Sequence, residues 1–401
     1  MLRLEGFLQR YAWGSTEALP QFLGRAADGD TWAEVWFGAH PLAPSMVLGS
    51  ERALDRVIAE EPRRMLGDAV IRTFGSELPF LLKVIAPAQP LSLQVHPTRE
   101  HARESFAAEN AAGLALDSPN RNYRDANHKP EMVLALAPFE ALCGFRTPRK
   151  AAAILEGLEC PLAERMRLLV REQPTAHGIR AAFRMLISPA MRPKPDEILD
   201  LARACQERLE AGVSPSPRID RAVVALSEQY PGDPGVAVAL LLNPVSLQPG
   251  EAMFVPAGTI HSYQSGLAVE IMASSDNVLR AGLTPKKVDA DELLQCVSVT
   301  AAPPIRIAPE RLAPHTVAYF SPIDDFELTV TTLDDDRGSF LPAHTVPGGG
   351  PRILLCLEGD VIAESSTGRH RVRSGEALFI PAASGEVRLG GVGTLVQASV
   401  P

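Results

Sequence analysis

Aromatic residues make up only 5% of the 401 positions, and cysteine occurs five times. Cys143, Cys160, Cys205, Cys296 and Cys356 are scattered, odd in number and never in a CxxC spacing. Neither a disulfide scaffold nor a cysteine zinc site is supported, so a reducing cytoplasm is the expected compartment. No stretch approaches the roughly 18 apolar residues of a membrane span, and the opening MLRLEGFLQRYAWGS lacks the apolar core of a signal peptide. A basic excess is missing too. Lys and Arg number 39 against 48 Asp and Glu, a net charge of −9, so neither nucleic acid nor a membrane surface is expected as the partner.

Proline, by contrast, is abundant at 35 residues, which confines helices to the stretches where it thins out. The length suits two or three domains of about 150 residues each. Residues 1–146 read as strand and turn with one helical patch over 51–66, where Leu54, Val57, Ile58 and Met65 recur at helical spacing. Residues 78–96 form two strand-like runs split by Pro87 and Pro90. The second alternates strictly, placing Ser92, Gln94 and His96 on one face and Leu91, Leu93 and Val95 on the other. From 147 to 230 the pattern becomes helical, as in LAERMRLLVRE and DEILDLARACQERLEAG, each segment closed by proline or glycine. Strands return from 231 to 300, a proline-rich passage follows near 301–314, and strands run to the end.

The expected fold is thus mainly β with an α-helical insertion. Residues 1–146 and 231–300 form one discontinuous unit, 147–230 the insertion, and 301–401 a C-terminal unit. An internal repeat refines this expectation, because GEAMFVPAG at 250–258 matches GEALFIPAA at 375–383. Two related small β-barrels are expected. Only the first continues to a histidine, His261, so the second is degenerate.

Gly250, Pro256, Gly258 and His261 follow G-x5-P-x-G-x2-H, which resembles the second signature of the cupin double-stranded β-helix. The first cupin signature normally offers two histidines one residue apart, and Gln94-Val95-His96 stands in that place. Glu131, 35 residues beyond His96, is the candidate carboxylate. One amide oxygen, two imidazoles and one carboxylate suffice for a divalent metal with open positions for water or substrate. The net positive centre would polarise a sugar oxygen or carbonyl. Zinc is the expected ion, with manganese and iron as alternatives. In DANHKPE at 125–131, Lys129 and Glu131 face the same way if PEMVLAL is a strand. Further along, Glu270 lies within an apolar strand and needs a partner. Asp276, Arg280 and Lys286 follow on a glycine- and proline-rich loop, where an arginine fork and a lysine charge could clamp phosphate.

Together these segments are similar to the type I phosphomannose isomerase family over nearly the whole chain. The matching stretches include YAWGS (11–15), AEVWFGAHPLAPS (33–45), LSLQVHP (91–97), NHKPEM (127–132), YPGDPGVAVALLLN (230–243), VPAGTIHSY (255–263) and SSDNVLRAGLTPK (274–286). The resemblance implies a zinc enzyme interconverting mannose 6-phosphate and fructose 6-phosphate through an enediol. The family's zinc ligands fall on Gln94, His96, Glu131 and His261, and its essential arginine on Arg280. Its phosphate-binding positions fall on Ser92, Lys286 and Lys83, and its sugar-site positions on Lys129, Glu270 and Asp276. For the proton-transfer base both Lys129 and Asp276 are candidates. The partner is a small sugar phosphate, and the chain is expected to be a monomer or weak homodimer. Two rivals remain at this stage. One is a ferrous cupin oxygenase, since two histidines and a carboxylate make its facial triad. The other is a non-enzymatic sugar-binding cupin. The tryptophans Trp13, Trp32 and Trp36 are expected to build the end of the barrel rather than touch sugar.

Overall fold

Strands Phe80–Ile85, Glu131–Ala135 and Ala268–Ala273 read as almost continuous apolar runs, and every residue in them is buried. Such runs belong in a sheet covered on both faces. In the computed structural model, which describes residues 1–334 and 344–401, they lie side by side in a seven-stranded antiparallel sheet. One face packs Leu82, Val84, Met132, Leu134, Val269 and Ile271 against Leu328, Ile353, Leu355, Phe379 and Val396 of an eleven-stranded sheet. The opposite face sets Ile85, Val133, Ala135 and Ala268 against Phe139, Ala141, Cys143, Val245 and Tyr263 of a five-stranded sheet. Burial of each large apolar side chain contributes about 1.5–3 kcal/mol, so the middle sheet is fixed from both sides.

The helical stretch becomes Pro148–Leu155, Pro161–Glu172, Ala176–Ile187, Pro195–Glu210 and Pro217–Gln229. Four of these five start with proline, where its missing N–H costs nothing. Their apolar stripes, with Ile154, Met166, Ile179, Phe183 and Leu201, share a core with Leu93, Val95, Leu142 and Leu279 of the five-stranded sheet. The chain leaves that sheet at strand Phe139–Phe145 and re-enters it beside the same strand as Leu242–Leu247. At Gly144, φ is +69°. There Cys143 belongs to the inner core and Phe145 to the helical one, and the partner register shifts between Leu242 and Pro244, as a bulge requires.

Three features depart from the expected elements. The patch at 51–66 is broken into Leu54–Glu60 and Pro62–Leu66, because Pro62 starts a new helix, and a third helix, Asp68–Phe74, follows. Helix Arg99–Ala111 had no counterpart in the reading of 1–146. Only Ala102 of it is fully buried, so it carries no apolar stripe for periodicity to detect. Strand pairing also crosses the divisions drawn along the chain. Ile305–Ile307 joins the seven-stranded sheet beside Ala252–Val255, and Leu2–Glu5 joins the eleven-stranded sheet beside Ala377–Ile380. Those two partner strands are the two copies of the internal repeat, each entered through a glycine with positive φ, Gly250 and Gly375. No helix among the described residues is long and apolar enough to cross a membrane.

Candidate functional site

Period-two alternation builds the site. On the inner face of the seven-stranded sheet, Glu131 precedes Val133 and Ala135, Lys83 precedes Ile85, and Glu270 follows Ala268. Polar groups therefore gather at one end of a face that is apolar at the other. Across the gap, His261 and Tyr263 alternate inward from the five-stranded sheet. His261 pairs with Gln94, and Gln94 pairs in turn with Arg280.

His96, Glu131 and His261 bring their ligand atoms within 4.8 Å of one another, and all three are buried. His96 Nε2 lies 3.1 Å from Glu131 Oε1, and His261 Nε2 lies 3.3 Å from Glu131 Oε2. The opposite ring nitrogens face backbone carbonyls: His96 Nδ1 donates to Asn277 O at 2.7 Å and His261 Nδ1 to Thr259 O at 2.9 Å. Those bonds fix the neutral tautomers with bare lone pairs at both Nε2 atoms. His96 Nε2 accordingly has no hydrogen-bond partner of its own. Burial, reinforced by the nearby Lys129 ammonium, pushes the His96 imidazole down to about 4. Two lone pairs aimed at a carboxylate repel one another unless a cation lies between them, so this donor set fits a divalent metal. Gln94, one strand over from His261, adds an amide beside it.

Beside this cluster lies a cavity of about 360 Å³ whose wall includes Lys83, Ser92, Gln94, Lys129, Asp276, Arg280 and Lys286. Lys129 belongs to both, since its Nζ is 3.3 Å from Glu131 Oε1. His96, Glu131, His261 and Glu270 are buried behind the wall. Of the four cationic groups on the wall, Lys83 and Lys129 are paired with carboxylates, while Arg280 and Lys286 stand beside Asp276 and suit an anionic ligand. Burial lowers both Arg280 and Lys286 from their ordinary values, and the Arg280 charge pushes Lys286 down further. An incoming phosphate would relieve that repulsion.

Lys83 and the tryptophans stand in surroundings that the sequence did not show. Lys83 lines the cavity and is paired there with buried carboxylates. Its Nζ sits 3.0 Å from Glu270 and 3.6 Å from Glu34, and 4.8 Å over the Trp36 ring. Burial alone would lower this ammonium, but the Glu270 and Glu34 carboxylates outweigh it and hold Lys83 above its usual value. Glu270 therefore has the partner its burial demanded, and it stands behind the cavity rather than on its wall. Of the tryptophans, Trp13 on the loop at 11–15 and Trp36 on strand Glu34–Phe37 both line the cavity.

Sequence reasoning passed over Tyr263 and Asn277, and left His40 and His128 between a place on the pocket wall and a structural hydrogen bond. Tyr263 donates its hydroxyl to Glu131 Oε2 at 3.0 Å, and its two-residue spacing from His261 was the available clue. Asn277 is wholly buried. Its side chain accepts from Arg124 N–H at 2.7 Å and donates to the Asp125 and Asn127 carbonyls at 2.9 Å each, locking the loop of Lys129 to that of Arg280. His128 and Arg99 both reach Asp325 Oδ1, at 3.0 and 2.8 Å. His40 lies edge-on to Trp36. Burial pushes His40 down to about 4 from an ordinary 6.5, so the unfolded chain binds the proton first. Stability from this group is complete above about pH 6.5 and lost as pH falls toward 4. The urea midpoint of chelated protein should fall over that window, and His40→Gln should flatten the fall. An unchanged slope in the variant would contradict it.

The family model for "Phosphomannose isomerase type I, catalytic domain" matches residues 1–148. The mannose-6-phosphate isomerase of Escherichia coli is 37% identical over 404 residues, covering 99% of both chains. The chain belongs to the mannose-6-phosphate isomerase family. The human member is 32% identical over 405 residues, covering 94% of this chain and 92% of its own. Among solved structures, a mannose 6-phosphate isomerase bound with zinc and yttrium superposes with a TM-score of 0.88 at 36% identity, covering 100% of this chain and 99% of its own. The apo form from Salmonella typhimurium gives the same TM-score and identity. This family membership sets aside the oxygenase and binding-module rivals. The Tyr263 hydroxyl contacts a carboxylate that could hold a metal ion. Tyr263→Phe should weaken zinc binding roughly 10- to 100-fold, read by chelator competition; an unchanged affinity would remove Tyr263 from the site.

Proposed function

We propose that this protein interconverts mannose 6-phosphate and fructose 6-phosphate, with one zinc ion held by Gln94, His96, Glu131 and His261. The observation that carries the reading is the convergence of two imidazole lone pairs on Glu131 beside a cavity walled by cations. When bound, zinc supplies a Lewis acid that polarises a substrate oxygen.

The reaction breaks the C2–H bond of the open-chain aldose, passes through an enediol, and forms a C1–H bond. The O2 proton is lost as the ketone forms, and O1 gains one as it becomes a hydroxyl. We assign the carbon-to-carbon proton transfer to Asp276 and Lys129, titratable groups on the cavity wall. Arg280, one strand from Gln94, stabilises the negative charge of the enediolate. That leaves the phosphate to Lys286 and Ser92 at the other end of the sugar. Glu270 acts from behind, holding Lys83 in place.

We read the seven- and five-stranded sheets as one catalytic barrel of cupin type, interrupted by the helices of 147–230. The eleven-stranded sheet we read as a second, degenerate barrel; the repeated GEAMFVPAG and GEALFIPAA strands support both. All five cysteines are free and buried, which suits a reducing cytoplasm. The test is a coupled assay of zinc-replete protein that identifies the product. Fructose 6-phosphate formed from mannose 6-phosphate, with unphosphorylated mannose a far poorer substrate, is the expected result. Absence of fructose 6-phosphate would overturn the assignment.

A further inference from the structure

The motif YPGDPG at 230–235 touches neither the metal cluster nor the reacting end of the cavity, yet it joins two of the cavity's walls. On one side, Gln229 Nε2 donates to Gln89 Oε1 at 2.9 Å and Tyr230 donates its hydroxyl to the Pro90 carbonyl at 3.0 Å. Pro90 directly precedes Leu91 and Ser92. On the other side, Asp233 Oδ1 accepts the N–H of Gly235 at 2.7 Å and the N–H of Leu283 at 2.9 Å, and Oδ2 lies 3.5 Å from Thr284 N. Leu283 and Thr284 belong to the stretch between Arg280 and Lys286, and all four line the cavity.

That stretch has a backbone that needs holding. Leu283 adopts φ +56°, a left-handed conformation that a leucine rarely takes, and Gly282 has φ +126°. A Cβ on Gly282 would come within 2.7 Å of Asp233 Oδ1 and 2.9 Å of the Gly235 backbone, so the two segments are in closest contact here. The only charged acceptor on these N–H groups is Asp233, and a charge-assisted bond is about twice as strong as a neutral one.

We infer that Asp233 is a positioning residue that holds the Leu283–Thr284 turn and with it the approach of Lys286, setting the affinity for the phosphate end of the substrate, while Arg280 is held separately by its strand pairing with Gln94. The inference rests on the proposed function for the substrate's identity, but not for its geometry. A carboxylate that holds two backbone N–H groups of a loop acts on ligand binding through the shape of that loop. It does not act on the proton transfer, which belongs to Asp276 and Lys129 elsewhere on the wall.

The experiment measures KM and kcat for mannose 6-phosphate, the Kd of inorganic phosphate, and zinc per chain in wild type, Asp233→Ala and Asp233→Asn. Asp233→Ala should raise KM and the phosphate Kd together by roughly tenfold or more, with kcat within about threefold and zinc unchanged. Asp233→Asn should recover much of both, because the amide oxygen can accept the Gly235 and Leu283 N–H groups that Oδ1 accepts now, though without the charge. If Asp233→Ala does not fold, Gly282→Ala attacks the same contact from the other side and should show the same paired rise. Unchanged phosphate affinity in the folded variant, a loss confined to kcat, or an Asn variant as weak as the Ala variant would each overturn the inference. Should wild type show no turnover, the isomerase reading fails, while the phosphate Kd comparison still decides the role of Asp233.

Discussion

Glu131→Gln is expected to strip the protein of zinc and of nearly all turnover. Glu131 is the only formally charged donor among the four residues assigned to the metal, and both histidine lone pairs point at its carboxylate. An amide keeps the shape but cannot offset the double positive charge of the ion. It also deprives Lys129, 6% exposed and 3.3 Å from Glu131, of its ion-pair partner, so the cavity wall loosens at the residue assigned to proton transfer. With several kcal/mol of metal stabilisation removed, the rate should drop by at least about 10³-fold. Metal analysis after dialysis and a coupled assay check both halves of the expectation. Full zinc occupancy with turnover within about tenfold of wild type would show that the carboxylate is a core acid and not a ligand.

Arg280→Ala separates charge stabilisation from metal binding. Arg280 lies two strands from His261, pairs with Gln94 and lines the cavity, but it touches none of the three buried metal-holding groups. Zinc content should therefore stay at the wild-type level while kcat falls by about 10²–10³, the usual cost of losing one preorganised donor at a developing oxyanion. Arg280→Lys should not rescue, because an ammonium lacks the planar fork. A variant that lost zinc as well, or one that changed KM alone, would move Arg280 out of this role.

Much of the site was legible because its residues share faces. Strict alternation put Gln94 and His96 together although the strand is only Gln94–Val95 and His96 lies just past its end. The apolar run after Pro130 put Lys129 and Glu131 on one side of a strand edge. Glu270 was readable as a buried charge in need of a partner. The partner was not readable, since Lys83 lies opposite it only through the pairing of two strands nearly 190 residues apart in the chain. The resemblance alone put Lys83 at the phosphate; a lysine in an apolar strand shows its charge in sequence, and its counter-charges only in space. Asn277 and Asp233 escaped for another reason. They act by bonding to backbone groups of distant loops, and side-chain periodicity carries no record of such bonds. Helix Arg99–Ala111 was missed because an exposed helix capped by Thr98 has no apolar stripe. The helical character of 147–230 was found because the apolar stripes there are strong.

The measurement that bears most directly on the whole account is a zinc titration of chelated protein, followed by turnover of mannose 6-phosphate at each step. The account expects no turnover at the start and a linear rise that breaks at one zinc per chain, with the Glu131→Gln protein flat throughout. Turnover that survives complete chelation, or a wild-type protein that takes up one zinc and still makes no fructose 6-phosphate, would contradict it.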